Sequence, residues 1–204
     1  MNYLAIDTSG RYLTVIASAD GKRSVRFLPD CALSHSVALM GEIENALNDV
    51  RIEAKDVDVF ACSVGAGSFT GIRIGVSTIK AFAYAFHKKV LGVTTFDSLA
   101  YSIENRVKKL TLVSARHSNY YVCGYDEDGK ISLPPKFMTA DEIREIKDGY
   151  TLVADEENDN LGAVIADMKI GFLRAVEDKL PLAGYDGETL VPLYVKKSQA
   201  EEEA

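Results

Sequence analysis

The stretch SVGAGSFTGIRIG, Ser63–Gly75, gathers the residue types in this chain best suited to chemistry. Gly65, Gly67 and Gly71 let backbone lie close to a ligand and tolerate dihedrals closed to other residues. The helical pattern beginning at Phe69 opens with free amides, which favour negative charge. Ser68 and Thr70 offer hydroxyl donors, and Arg73 can face a phosphate or carboxylate. Upstream, Asp7 ends an apolar run beside Thr8 and Ser9, a place for a metal-bridging carboxylate or for a side chain that caps the turn. The same loop also reads as a tight strand-to-helix turn capped by Ser68 or Thr70, with Arg73 in a surface ion pair. A P-loop needs Lys and then Ser or Thr after its last glycine, where Ile72 and Arg73 stand. A dinucleotide fingerprint needs a βαβ unit, and this loop follows a strand meander and a helix.

Other catalytic signals are thin. His35 lies near a helix start, where surface or capping roles are the common ones. His87 sits with Lys88 and Lys89 at a helix end, where the helix dipole favours them. His117 shares a turn with Ser114, Arg116 and Ser118. The chain has no HxxxH or HExxH pair. Ser63, Ser68 and Ser114 have no local base. No catalytic residue and no metal ligand is therefore assigned. Cys31, Cys62 and Cys123 are far apart and read as free thiols of a reducing compartment. With 204 residues and a formal net charge of -7, the chain is disfavoured for broad binding to nucleic acid or acidic lipid, though not for a place beside a basic subunit. Its longest apolar helical stretch, Ile72–Phe86, contains Arg73 and Lys80 and is too short for a bilayer. The expectation is a cytoplasmic protein with no membrane partner.

The elements that must position these residues repeat. Asn2–Asp7 and Tyr12–Ser18 predict an antiparallel pair, Asp20–Gly21 a hairpin turn, and SVRFL a third strand. Val37, Met40, Ile43 and Leu47 mark one face of a helix. A strand, the glycine loop, a helix over Phe69–His87, the strand KVLGV and a helix capped by Thr95 follow. Lys109–Ile131 then restarts the order of strand, turn, strand and Asp-Gly turn, with Asp128–Gly129 in the place of Asp20–Gly21. Thr139 and Glu142 have capping-box spacing. The stretch NLGAVIADMKIGFLRAVEDKL reads as a helix broken at Gly162 or Gly171, and LVPLYVKK as an extended edge. The repeat predicts an α/β fold of two similar lobes with mixed sheets that open in antiparallel meanders, 1–103 and 104–204. The helix after the loop has two apolar stripes, one of them small-residued: Gly71, Gly75, Thr78 and Phe82. Either it is the central helix of its lobe, or that stripe joins Val37, Met40 and Ile43 in a helix-pair interface.

LAIDTS, LSHS, GAGSFTGIRIGVSTIKAFA, GVTTFDSLA, SAR and VPLYVKK together resemble the TsaB (YeaZ) family along the whole chain. The resemblance implies duplicated actin/Hsp70-like (ribonuclease H-like) lobes. It implies a non-catalytic subunit of the machinery that makes N6-threonylcarbamoyladenosine at tRNA position 37. The implied partners are the paralogous catalytic subunit TsaD, the ATPase TsaE and, through the complex, tRNA, with a homodimer when the chain is alone. No cofactor is implied for this chain itself; ATP and a metal ion belong to partner subunits. Asp7, Gly65, Gly67, Ser68, Thr70 and Arg73 are left with weak anion contact. The rival reading is a small phosphotransferase of the same superfamily using Asp7 and the glycine loop. Two residues depart from the family pattern: Ala66 replaces the usual proline of the loop, and Ser114 the usual aspartate before Ala115–Arg116.

Overall fold

The computed structural model describes residues 1–196 apart from 33, 104–105, 158–160 and 186. Its first half contains β1 (Tyr3–Asp7), β2 (Leu13–Ala19), β3 (Lys22–Leu28), α1 (His35–Val50), β4 (Val59–Gly65), α2 (Phe69–Phe86), β5 (Lys89–Thr94) and α3 (Thr95–Tyr101). Its second half contains β6 (Lys109–Ser114), β7 (Asn119–Tyr125), β8 (Ile131–Thr139), α4 (Ala140–Ile146), β9 (Thr151–Ala154), β10 (Val164–Ile165) and α5 (Met168–Lys179). The hairpin between β2 and β3 turns on Asp20 and Gly21, both at positive φ, as a two-residue turn between twisted strands requires.

The two five-stranded sheets have one plan. The first runs β3-β2-β1-β4-β5 and the second β8-β7-β6-β9-β10. In each, the central strand pairs antiparallel with its hairpin partner and parallel with the strand that returns after a helix: β1 with β2 and β4, β6 with β7 and β9. The sequence repeat is thus a structural repeat, with β1 and β6 in equivalent places. β1 is buried at every position, which is why YLAID carries almost no polar residue before its terminal aspartate.

Helices α1 and α2 cover one face of the first sheet. Leu39, Ile43 and Leu47 from α1, and Ile72, Val76 and Ile79 from α2, meet Leu4, Ile6, Leu13 and Phe60. The opposite face is roofed by α5, the helix furthest along the chain: Phe172, Ala175 and Val176 pack on Tyr3, Ala5, Val59, Ala61 and Val93. Burying Phe172 alone contributes on the order of 2 kcal/mol. Lys179 at the end of α5 reaches the buried Asp97 of α3 at 2.7 Å, and the Tyr125 hydroxyl of β7 donates to the same carboxylate at 3.1 Å. Between the sheets, Phe96 and Leu99 of α3 meet Val113, Cys123 and Val153.

Three local expectations are corrected. Thr94, not Thr95, caps α3: its hydroxyl accepts from the Asp97 amide, and Asp97 reaches back to the Thr94 amide, each at 3.0 Å. Thr95 instead points inward and is buried. The helix expected over 160–180, with a break at Gly162 or Gly171, begins only at Met168 and runs unbroken through Gly171, because Asp167 caps it and Val164–Ile165 add a strand to the second sheet. The described residues after Leu190, 191–196, belong to neither sheet and are tied to β4 by the Leu193 amide on the Val64 carbonyl.

Gly171 of α5 lies so near Ser98 that a Cβ would overlap its carbonyl oxygen, whereas a Cβ on Gly41 of α1 would meet nothing within 4 Å. Gly171→Ala should therefore destabilise the chain by about 1–3 kcal/mol. Gly41→Ala should stabilise it by about 0.5–1 kcal/mol through helix propensity. Urea denaturation of the two variants checks the contrast, and equal effects would deny the close seat of α5.

Candidate functional site

Asp7 ends β1 with no accessible surface. Its Oδ1 accepts from the amide and hydroxyl of Ser9, at 2.8 and 2.7 Å, and its Oδ2 from the Tyr12 hydroxyl at 3.2 Å. This bonding folds the chain after β1 into a tight turn whose carbonyls face the glycine loop. Gly67 carries φ 146° and has the Ser9 carbonyl where its Cβ would be; the Ser68 amide donates to that carbonyl at 2.8 Å. Gly71 has the Thr8 carbonyl in the same relation, and the Thr8 hydroxyl donates to the Gly71 carbonyl at 2.6 Å. A Cβ on Gly75 would lie 2.7 Å from that hydroxyl oxygen. Thr95 donates to the Ala66 carbonyl at 2.6 Å. The Ser68 side chain caps α2 by accepting from the Gly71 amide at 3.2 Å. The glycines let backbone approach backbone, and the space beside them is filled by Thr8 and Ser9.

The other sequence candidates do not converge there. Thr70 is exposed, and Arg73 lies on the outer surface with its Nε donating to the Tyr194 hydroxyl. His35 is buried, with Nε2 on the Tyr12 carbonyl at 2.9 Å, a core position that the helix-start reading missed. His87 ends α2 in the left-handed region, and His117 sits in a turn at φ 51°. None of the three is bonded to Ser63, Ser68 or Ser114. Among the described residues, no group of three His, Cys, Asp or Glu side chains could hold a metal ion.

The expected interface set divides. Val37 is 83% and Met40 54% exposed on α1, and Thr78 is half-buried. Ile43, by contrast, is a core residue, Gly71 and Gly75 face Thr8, and Phe82 stacks on Phe60 with ring centroids 5.4 Å apart. Of the small residues in the stripe only Thr78 reaches the outer surface: small side chains at 71 and 75 seat α2 against the turn after β1. The face α2 does present is the row Thr70, Ile74, Ser77 and Thr78. With Ser36 and Met40 this row lines an open groove of about 520 Å³ between α1 and α2. Ile74 and Ser77 were missed in the sequence, although Ile74 is four residues from both Thr70 and Thr78, and Ser77 is three from Ile74.

A second carboxyl lies near Tyr12. Asp155, just after β9, accepts from the Ser114 amide at 3.2 Å. Burial, with Glu156 adding to it, pushes its carboxyl up to about 7. Burial also raises Asp7 despite its donors, and the Tyr12 hydroxyl is raised by burial and by the fields of Asp7 and Asp155. Ser114 thus ends β6 as Asp7 ends β1, but what it supplies is a backbone donor to Asp155.

Two five-stranded lobes on one plan are the duplicated fold of the actin/Hsp70-like class. The family model for TsaD, tRNA N6-adenosine threonylcarbamoyltransferase, matches residues 27–161. The chain belongs to this family. The tRNA threonylcarbamoyladenosine biosynthesis protein TsaB of Escherichia coli strain K12 is 25% identical over 98% of this chain and 96% of its own length. The TsaB protein of Bacillus subtilis strain 168 is 32% identical over 85 residues, 42% of this chain and 37% of that relative. YeaZ from Pseudomonas aeruginosa shares the fold with a TM-score of 0.76 at 19% identity, over 95% of this chain and 99% of that one.

Asp7 and Asp155 set a pH dependence. An unfolded aspartate titrates near about 4, and Asp155 in the folded chain at about 7. Between those values the folded state holds the extra proton on Asp155, so the contribution of that residue to stability falls as pH rises from about 4 to about 7 and levels off above. Asp155→Asn should flatten that fall, leaving the part due to Asp7, when the urea midpoint is followed against pH. An unchanged slope would mean that Asp155 ionises freely in the folded chain.

Proposed function

We propose that this chain is the non-catalytic activating subunit of a TsaD-type paralogue in the synthesis of N6-threonylcarbamoyladenosine at position 37 of ANN-decoding tRNA. The observation that carries this reading is the similarity to the Escherichia coli TsaB protein over both whole chains, which takes in both lobes rather than one motif. The geometry agrees with it. The space beside the glycine loop that would serve chemistry is filled by the chain's own backbone, while Val37 and Met40 stand uncovered beside the α1–α2 groove. In this reading the partner face belongs to the lobe 1–103. The lobe 104–204 sends α5 back across the first sheet. The assembly works in the cytoplasm, ATP and a metal ion sit on partner subunits, TsaE joins the pair, and tRNA is reached through the complex. When the paralogue is missing, the same face pairs with a second copy, since a patch that fits a paralogue is close to self-complementary.

The test is co-purification with the TsaD-type paralogue of the same organism, followed by threonylcarbamoylation of tRNA with and without this chain. Activity should require both proteins. Val37→Glu and Met40→Glu should each weaken the complex by about 30-fold, the cost of on the order of 2 kcal/mol at a central contact. The thermal midpoint of the free chain should change little, because both side chains are exposed. Full affinity in both variants would place the partner on another surface.

A further inference from the structure

The C-terminal segment crosses to the start of α2. The Leu193 amide donates to the Val64 carbonyl at 2.7 Å, which sets the segment beside the end of β4. One residue on, the Tyr194 ring stacks on Phe69, with centroids 4.5 Å and planes 13° apart. The Tyr194 hydroxyl accepts from Arg73 Nε at 2.8 Å. The guanidinium carbon of Arg73 lies 5.8 Å from the Phe69 centroid and 5.6 Å from that of Tyr194. The three side chains form one plate on the rim of the α1–α2 groove, since Arg73 also lines that groove.

Arg73 is exposed and makes no ion pair with a described residue; its Nη nitrogens are bonded to none of them. A surface arginine that binds a partner gives up rotamer freedom. Here the Nε bond and the two rings restrict the side chain before any partner arrives, so less freedom is left to lose on binding. A guanidinium tied at Nε keeps its Nη donors for a planar acceptor, and a carboxylate is the acceptor that matches their fork.

We propose that Arg73 is the carboxylate-reading point of the partner face, and that Tyr194 is a positioning residue acting through it. The proposal rests on the reading of the α1–α2 face as the surface for the TsaD-type paralogue. It commits that paralogue to an aspartate or glutamate beside the apolar contact made with Met40 and Ile74. The charge complementarity is local: a fixed cation with no counter-ion among the described residues, on the rim of an uncovered groove.

The experiment measures the dissociation constant of the full chain with the paralogue at two ionic strengths. Arg73→Ala should weaken binding by about tenfold or more and flatten its salt dependence. Arg73→Lys should not restore it, because an ammonium lacks the planar fork. Tyr194→Ala should give a smaller loss, and Tyr194→Phe, which keeps the stack and removes the Nε partner, a loss between that and wild type. In the double variant Arg73→Ala/Tyr194→Ala the losses should not add, since Tyr194 acts only through Arg73; a merely structural tyrosine would give additive losses and an unchanged salt slope, which overturns the proposal. If wild type binds, Met40→Glu weakens binding and Arg73→Ala binds like wild type, the proposal falls and the reading of the face stands. If wild type does not bind, both fall. Arg73→Ala is an exposed substitution that leaves the core untouched, so the decisive arm does not depend on how Tyr194→Ala folds.

Discussion

The contact on which the rest of the structure depends is backbone against backbone: the carbonyls of Thr8 and Ser9 against Gly71 and Gly67. It exists because Asp7 gathers the Ser9 amide, the Ser9 hydroxyl and the Tyr12 hydroxyl, which turns the chain sharply at the end of β1. Any side chain at 67 or 71 would push α2 away from the sheet. With glycine at both, α2 sits deep enough for Ile72, Val76 and Ile79 to enter the core. The depth of α2 in turn decides which of its rows remains outside next to α1. One contact thus closes the space beside the glycine loop and sets out the outer groove. The chemistry that an aspartate and a glycine loop could have done is exchanged for a firm seat under a partner-facing helix.

The halves are joined with similar economy. α5 leaves the second sheet and roofs the first, and Gly171 allows it to touch α3 at Ser98. Asp97 is shared by three elements: it closes the capping box of α3, accepts from Tyr125 of β7, and pairs with Lys179 of α5. A buried ion pair adds little net stability once desolvation is counted, but loss of either partner is costly, so its geometry fixes how α5 lies. The outer α1–α2 face is held from behind by a body that spans both sheets.

Much of this plan is legible in the sequence. The recurrence of strand, turn, strand and Asp-Gly turn gives the two lobes, since each pattern comes from local rules of alternation and turn chemistry. Ser68 and the pair Thr139/Glu142 are legible as caps for the same reason. What is not legible depends on contacts between distant residues. Periodicity shows that α2 has two apolar stripes, but not that Thr8 fills the space beside Gly71 and Gly75. Ile43 lies on the stripe that also carries Val37 and Met40, but the face α1 buries runs through Leu39, Ile43, Ala46 and Val50, which leaves Val37 and Met40 outside. His35 reads as a surface residue because nothing nearby in sequence announces the Tyr12 carbonyl it meets. The path of α5 is hidden likewise, because Phe172, Ala175 and Val176 would suit either sheet.

The central claim is that this chain works through the outer face of α1 and α2 and not through its glycine loop and the turn after β1. Photo-crosslinking tests it most directly, with a photoreactive residue placed at Met40 on that face or at Arg11, an exposed position on the turn after β1 that pairs with Asp30 and with Glu156 of the second half. With the TsaD-type paralogue present, the account predicts a covalent adduct with the paralogue from position 40 and none from position 11. An adduct from position 11 in place of position 40 would contradict it.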